Sequence, residues 1–158
     1  MRWDEIGEVR CSVARTLSVV GDRWTLLVLR DLFLGARRFE HFEASLGASP
    51  HLLSTRLRKL VDHGILERRP YQEKPVRHEY RLTEKGRDLY PVIVGLVGWG
   101  DRWMCDEDGP PVTFEHETCG HDTRPELHCS ECGESLQPRD VRARFNDPST
   151  DTPARRTP

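Results

Sequence analysis

The stretch from Ser49 to Leu82 constrains the chain more than any other, because a helix specified at both ends runs straight into a hairpin. Ser49 is a good N-cap, and Pro50 brings a φ already set for the first helical turn. Leu53, Leu57 and Leu60 recur at spacings of four and three, His63 sits in the last turn, and Gly64 follows at the position that favours left-handed backbone. Caps and period together predict a helix over 50–63. Residues 65–71 then read as a strand, 72–75 as a turn-rich stretch, and 77–82 as the return strand. Alternation points Tyr80 and Leu82 inward and Glu79 and Arg81 toward water.

Three helices are expected upstream. Val13, Leu17 and Val20 mark a short one ended by Gly21, and Asp22 can cap a second that carries Trp24 to Phe33 and stops at Gly35. Phe39, Phe42 and Leu46 mark a third, closed by Gly47. Downstream, Thr83 is expected to cap one long helix reaching Met104, with Leu89, Val92, Leu96, Trp99 and Trp103 as a coiled-coil-like seam. The order predicts a mainly α fold with a small β hairpin (α+β), a winged helix-turn-helix over residues 1–104.

A change of composition at Asp106-Glu-Asp-Gly-Pro-Pro111 marks a linker over 105–112. Residues 113–145 are expected to form a small zinc-ribbon-like C-terminal module, and 146–158 a disordered tail rich in proline. The charge is uneven: residues 1–104 carry 18 basic and 14 acidic side chains, residues 105–158 carry 6 and 12. The positive excess lies where a polyanion can bind. The uncharged run 89–100 is too short to span a bilayer, so no membrane partner is expected. Acidic residues at the start, where a signal peptide needs basic ones, predict a cytoplasmic, nucleoid-associated protein.

In a winged helix-turn-helix the second helix of the turn pair enters the major groove and the hairpin tip lies along the backbone. The predicted partner is therefore double-stranded DNA. Opposite the leucine stripe stand His51, Thr55, Arg58, Lys59 and Asp62. Arg58 can take guanine O6 and N7 together, and His51 and Thr55 lie near the end that reaches base edges. Ser49, Ser54, Arg56 and Lys59 suit phosphates, as do Lys74 and Arg77 at the hairpin and Arg37 and Arg38 before the third helix. Such a polar face can also be merely solvated. The capped helix, basic hairpin and arginine pair agree in favouring the DNA reading.

Several motifs resemble the HxlR-type winged helix-turn-helix regulators, related to the MarR-like group. They are Cys11-Ser-Val-Ala-Arg15, Val20-Gly-Asp-Arg-Trp24 with the Thr25–Leu32 run after it, Gly35-Ala-Arg-Arg-Phe39, Ser49-Pro-His-Leu-Leu-Ser-Thr-Arg-Leu57, Leu60-Val-Asp-His-Gly-Ile65 and Leu82-Thr-Glu-Lys-Gly86. The resemblance covers roughly residues 11–104. It implies a homodimer joined through the first and last helices and a two-fold symmetric operator, with repression the expected direction of control. One departure is Ser12, where many members carry proline. Some members sense oxidants through a cysteine at the position of Cys11; a small buried thiol is the alternative there. A small molecule held near Trp24, Trp99 and Trp103 is the other candidate effector.

Five cysteines in a chain without a signal argue against a disulfide framework. His116-Glu-Thr-Cys119-Gly120 and Cys129-Ser-Glu-Cys132-Gly133 are two ligand-x-x-ligand-Gly units, which predict structural zinc on His116, Cys119, Cys129 and Cys132, with His121 and His128 as rival fourth ligands. Cys129 and Cys132 read as a catalytic pair would make a thiol–disulfide oxidoreductase. No βαβ pattern surrounds them, no other catalytic constellation stands out, and a non-enzyme is expected. A winged-helix module that binds RNA or protein is the third reading.

Overall fold

The computed structural model describes residues 3–144 and 146, and the chain divides after Cys105 into two compact units. The first opens with a 3-10 turn at Trp3–Glu8, which no sequence signal announced. Then come α1 (Ser12–Val20), α2 (Arg23–Phe33), α3 (Phe39–Leu46), α4 (Pro50–Asp62), β1 (Leu66–Glu73), β2 (Val76–Leu82), α5 (Glu84–Arg87) and α6 (Tyr90–Trp103).

Local chemistry sets most of these ends. The Asp22 carboxylate accepts from the N–H groups of Trp24 and Thr25, and Ser49 Oγ accepts from Leu52 N. Gly47 and Gly64 end α3 and α4 with φ of 58° and 67°, a region that costs a side chain dearly. Val28, Leu29 and Leu32 of α2, Phe42 of α3 and the α4 stripe Leu53, Leu57 and Leu60 are fully enclosed, and Ile65, Leu66 and Ile93 close the core.

The long last helix is corrected. It is two helices, broken at Asp88–Leu89. Pro91 has no N–H to give the carbonyl four residues back, so the ladder stops and restarts with Pro91 in the first turn of α6. Thr83 does cap, but it caps only the single turn of α5, its Oγ1 accepting from Gly86 N. The same hydroxyl donates to Gly64 O at 2.7 Å, so α5 is anchored to the end of α4.

The hairpin pairs Leu66 with Leu82 and Glu73 with Val76 in antiparallel register, with an irregularity between Pro70 and Gln72. Arg38 forms an antiparallel bridge to Glu79, and Tyr80 N donates to Arg37 O at 2.7 Å. The segment before α3 thus adds a third, minimal strand, which half-buries Glu79 on the face expected to meet water.

The second unit holds β3 (Phe114–His116), antiparallel to β4 (His121–Thr123), and a 3-10 turn at Pro138–Asp140. Phe145, the last residue expected in this module, and residues 147–158 of the expected tail lie outside the described residues.

Candidate nucleic-acid interface

Helix α4 is held at several points along its length. Its leucine stripe is sunk in the core, and Arg56 reaches back to α2. There Nε and one terminal nitrogen of Arg56 each donate to a separate oxygen of Asp22 at 2.9 Å, a two-pronged ion pair. One turn on, Lys59 Nζ donates to Ser18 O of α1 at 2.8 Å. Burial raises the Asp22 carboxyl, but the Thr25 N–H, the Arg56 guanidinium and the Trp24 N–H outweigh it and hold the group below its ordinary value.

These bonds reassign three residues expected at phosphates. Arg56 and Lys59 fasten α4 to its neighbours, and Arg37 is turned inward, donating to the carbonyls of Leu32 and Ala36. Arg38 stays exposed with its guanidinium 4.4 Å from the Tyr71 ring centre, at the hairpin's irregularity. Ser49 serves as the cap of α4, in keeping with its sequence position.

What remains on the outer face is sparse and free. His51, Ser54, Thr55, Arg58 and Asp62 are exposed, and among the described residues Arg58 makes no hydrogen bond or ion pair. The Thr55 hydroxyl donates to His51 O, leaving its methyl and a lone pair outward. At the hairpin tip Lys74 and Arg77 are exposed without a polar side-chain partner among the described residues. Other hairpin cations are occupied: Arg68 with His78, Arg69 with Glu67, and Arg81 with Glu79.

Sequence reasoning missed the internal ties because Asp22 and Ser18 stand 34 and 41 residues from their partners. The one legible signal was Asp22, read only as a cap.

Cys11 is exposed at the N-cap of α1. Trp24 is half-buried against the core, whereas Trp99 and Trp103 are 59% and 63% exposed on α6. In the second unit His116 and Cys119 form one close pair. In the other pair, the N–H groups of Cys132 and Glu131 and the Cys132 side chain bond to Cys129 and hold its thiol below the ordinary range. Among the described residues, no three His, Cys, Asp or Glu side chains form a group placed to hold a metal ion. No helix among them is long and apolar enough to cross a membrane.

Known proteins share this arrangement. The family model of the HxlR-like helix-turn-helix matches residues 19–108. An HTH-type transcriptional regulator of Mycobacterium tuberculosis (strain ATCC 25618 / H37Rv) is 50% identical over 130 residues, 82% of each chain. The crystal structure of PA1607 superposes with a TM-score of 0.78 at 37% identity, covering 89% of this chain and 98% of that one. The redox regulator HypR in its oxidized form gives a TM-score of 0.56 at 32% identity, covering 61% and 100%. Such regulators are not enzymes. The family match, the close relative and the helix–helix–hairpin order agree: the chain belongs to the HxlR-like helix-turn-helix family of transcriptional regulators.

Proposed function

We propose that this protein is a homodimeric repressor that binds a two-fold symmetric operator in double-stranded DNA. The observation that carries the reading is the division of labour on α4. Its inward and flanking groups fix the helix, while His51, Ser54, Thr55 and Arg58 project outward without competing ion pairs. Arg58 suits guanine, the Thr55 methyl suits thymine, and Arg38, Lys74 and Arg77 suit phosphates on either side. The dimer rests on apolar surface that the single chain leaves bare: Val13 and Leu17 on α1, and Val92, Leu96, Trp99 and Trp103 on α6. Two-fold symmetry then sets two α4 helices into successive major grooves, half-sites about one helical turn apart.

Thiol oxidation at exposed Cys11 is the proposed signal, supported by the likeness to the redox regulator HypR, and a small molecule near Trp99 and Trp103 is the alternative. Selection of bound sequences from random duplex DNA, with and without peroxide, tests the reading. A palindromic motif is expected without oxidant, weakened by peroxide in the wild type and not in Cys11→Ser. Arg58→Ala should cost about 1–3 kcal/mol and relax preference at one base pair per half-site. Failure to enrich any two-fold motif overturns it.

A further inference from the structure

The described part of the unit beyond Cys105 forms strands and turns without a core. None of its described residues is buried; only Gly109, Phe114 and Cys129 are even half-buried, and Leu127 is 72% exposed. Hydrophobic burial cannot hold such a segment, and small units of this kind depend on a staple.

The chain nonetheless builds two matching turns. In the first, between β3 and β4, the N–H groups of Cys119 and Gly120 both donate to His116 O, at 3.0 and 2.8 Å. Gly120 takes a φ of 68°, and His116 Nδ1 comes within 3.3 Å of Cys119 Sγ. In the second, Leu136 N donates to Leu127 O, His128 bridges Ser135, and Cys129 N donates to Glu134 O. Gly133 closes this turn with its N–H on Cys129 O and a φ of 74°.

Distances select among the histidines. With zinc–sulfur and zinc–nitrogen bonds of about 2.3 and 2.0–2.1 Å, two tetrahedral neighbours sit about 3.6 Å apart. The His116–Cys119 separation is a few tenths of an ångström short of that. His128 makes no such approach to a cysteine: its Nδ1 donates to Gly133 O at 3.0 Å and its Nε2 stands 3.6 Å from Glu126. His121 is paired across the strand from His116 and shows no comparable approach to a cysteine.

We propose that one zinc ion joins the two turns, bound by His116 Nδ1 and the sulfurs of Cys119, Cys129 and Cys132. The four ligands stand as two preformed pairs that the metal draws into one tetrahedron. Binding displaces the thiol protons to solvent, so affinity rises with pH. The proposal is independent of the DNA reading.

The test uses the full chain, purified under reducing conditions without chelator. One zinc per chain is expected by elemental analysis, and cobalt substitution should give visible bands of a tetrahedral site with three thiolates and one imidazole. His116→Ala should lower zinc affinity by roughly a hundredfold or more, beyond what loss of a supporting partner costs, and alter the cobalt bands. His121→Ala and His128→Ala should keep affinity and bands. Where a variant fails to fold, zinc and cobalt titration of the wild type still decides. Sub-stoichiometric zinc with no tetrahedral cobalt spectrum overturns the site, as does a Cys129–Cys132 disulfide in the reduced preparation. Loss of metal in His121→Ala with retention in His116→Ala overturns the ligand set.

Discussion

Asp22 does two jobs with one carboxylate, and the two can be separated. Asn can still accept from the N–H groups at the start of α2, but it carries no charge for Arg56. Asp22→Asn should therefore cost about 1 kcal/mol at neutral pH, the value of a partly exposed ion pair. Because the folded carboxyl lies below its ordinary 3.8, its contribution is complete above that pH and fades as the pH falls through the folded value. Urea unfolding at pH 7 and near pH 3 should show wild type and Asp22→Asn converging in acid. A constant gap would assign the effect to the cap instead. Asp22 was legible from sequence as a cap because the N–H groups that donate to it are two and three residues away. Its partner Arg56 was not, since side-chain type says nothing about which of several arginines will fold back on it.

The helices declare themselves in the sequence when their ends are local events. Ser49, Gly47 and Gly64 stop or start their helices through bonds to near neighbours, and α3 and α4 lie where those residues indicate. The segment after the hairpin was less legible. An apolar seam continued through it, and periodicity does not register that a proline has removed one rung of the ladder. Of the expected seam, Val92, Leu96, Trp99 and Trp103 are exposed on the single chain, while Ile93 packs into the core. The one-turn α5 depends on contact with Ile65. A methyl on Gly86 would press into the Ile65 carbonyl oxygen and the Leu82 side chain. Gly86→Ala should lower stability by about 1–3 kcal/mol in chemical denaturation, despite the better helix propensity of alanine. A stabilised variant would show that this junction yields easily.

At the scale of the molecule, the apolar stripe on α6 is the surface most in need of a partner. Trp99 and Trp103 each expose over half their area beside Leu96 at 51%, an apolar stripe of the kind that marks an interaction surface. Leu96→Glu combined with Trp99→Glu should convert the proposed dimer to a folded monomer, seen by sedimentation at micromolar concentration. A wild-type chain that sediments as a monomer would remove the basis for a two-fold operator. The winged architecture was readable because α4 and the hairpin are specified residue by residue. The seam on α6 was readable from its spacing except at Leu89, which packs against the core, since a helix apolar on several sides fits either a core or an interface.

The inward turn of Arg37, Arg56 and Lys59 limits how strongly ionic strength can act on operator binding. Each neutralised phosphate releases a counterion, and the logarithm of affinity falls with the logarithm of salt in proportion. With Arg38, Lys74 and Arg77 from each protomer of the proposed dimer on phosphates the slope should be about −5; had the three inward residues joined them it would be about −11. Titrating binding between low and physiological salt separates these values. The shallower dependence leaves more of the binding free energy to groups that distinguish one base pair from another.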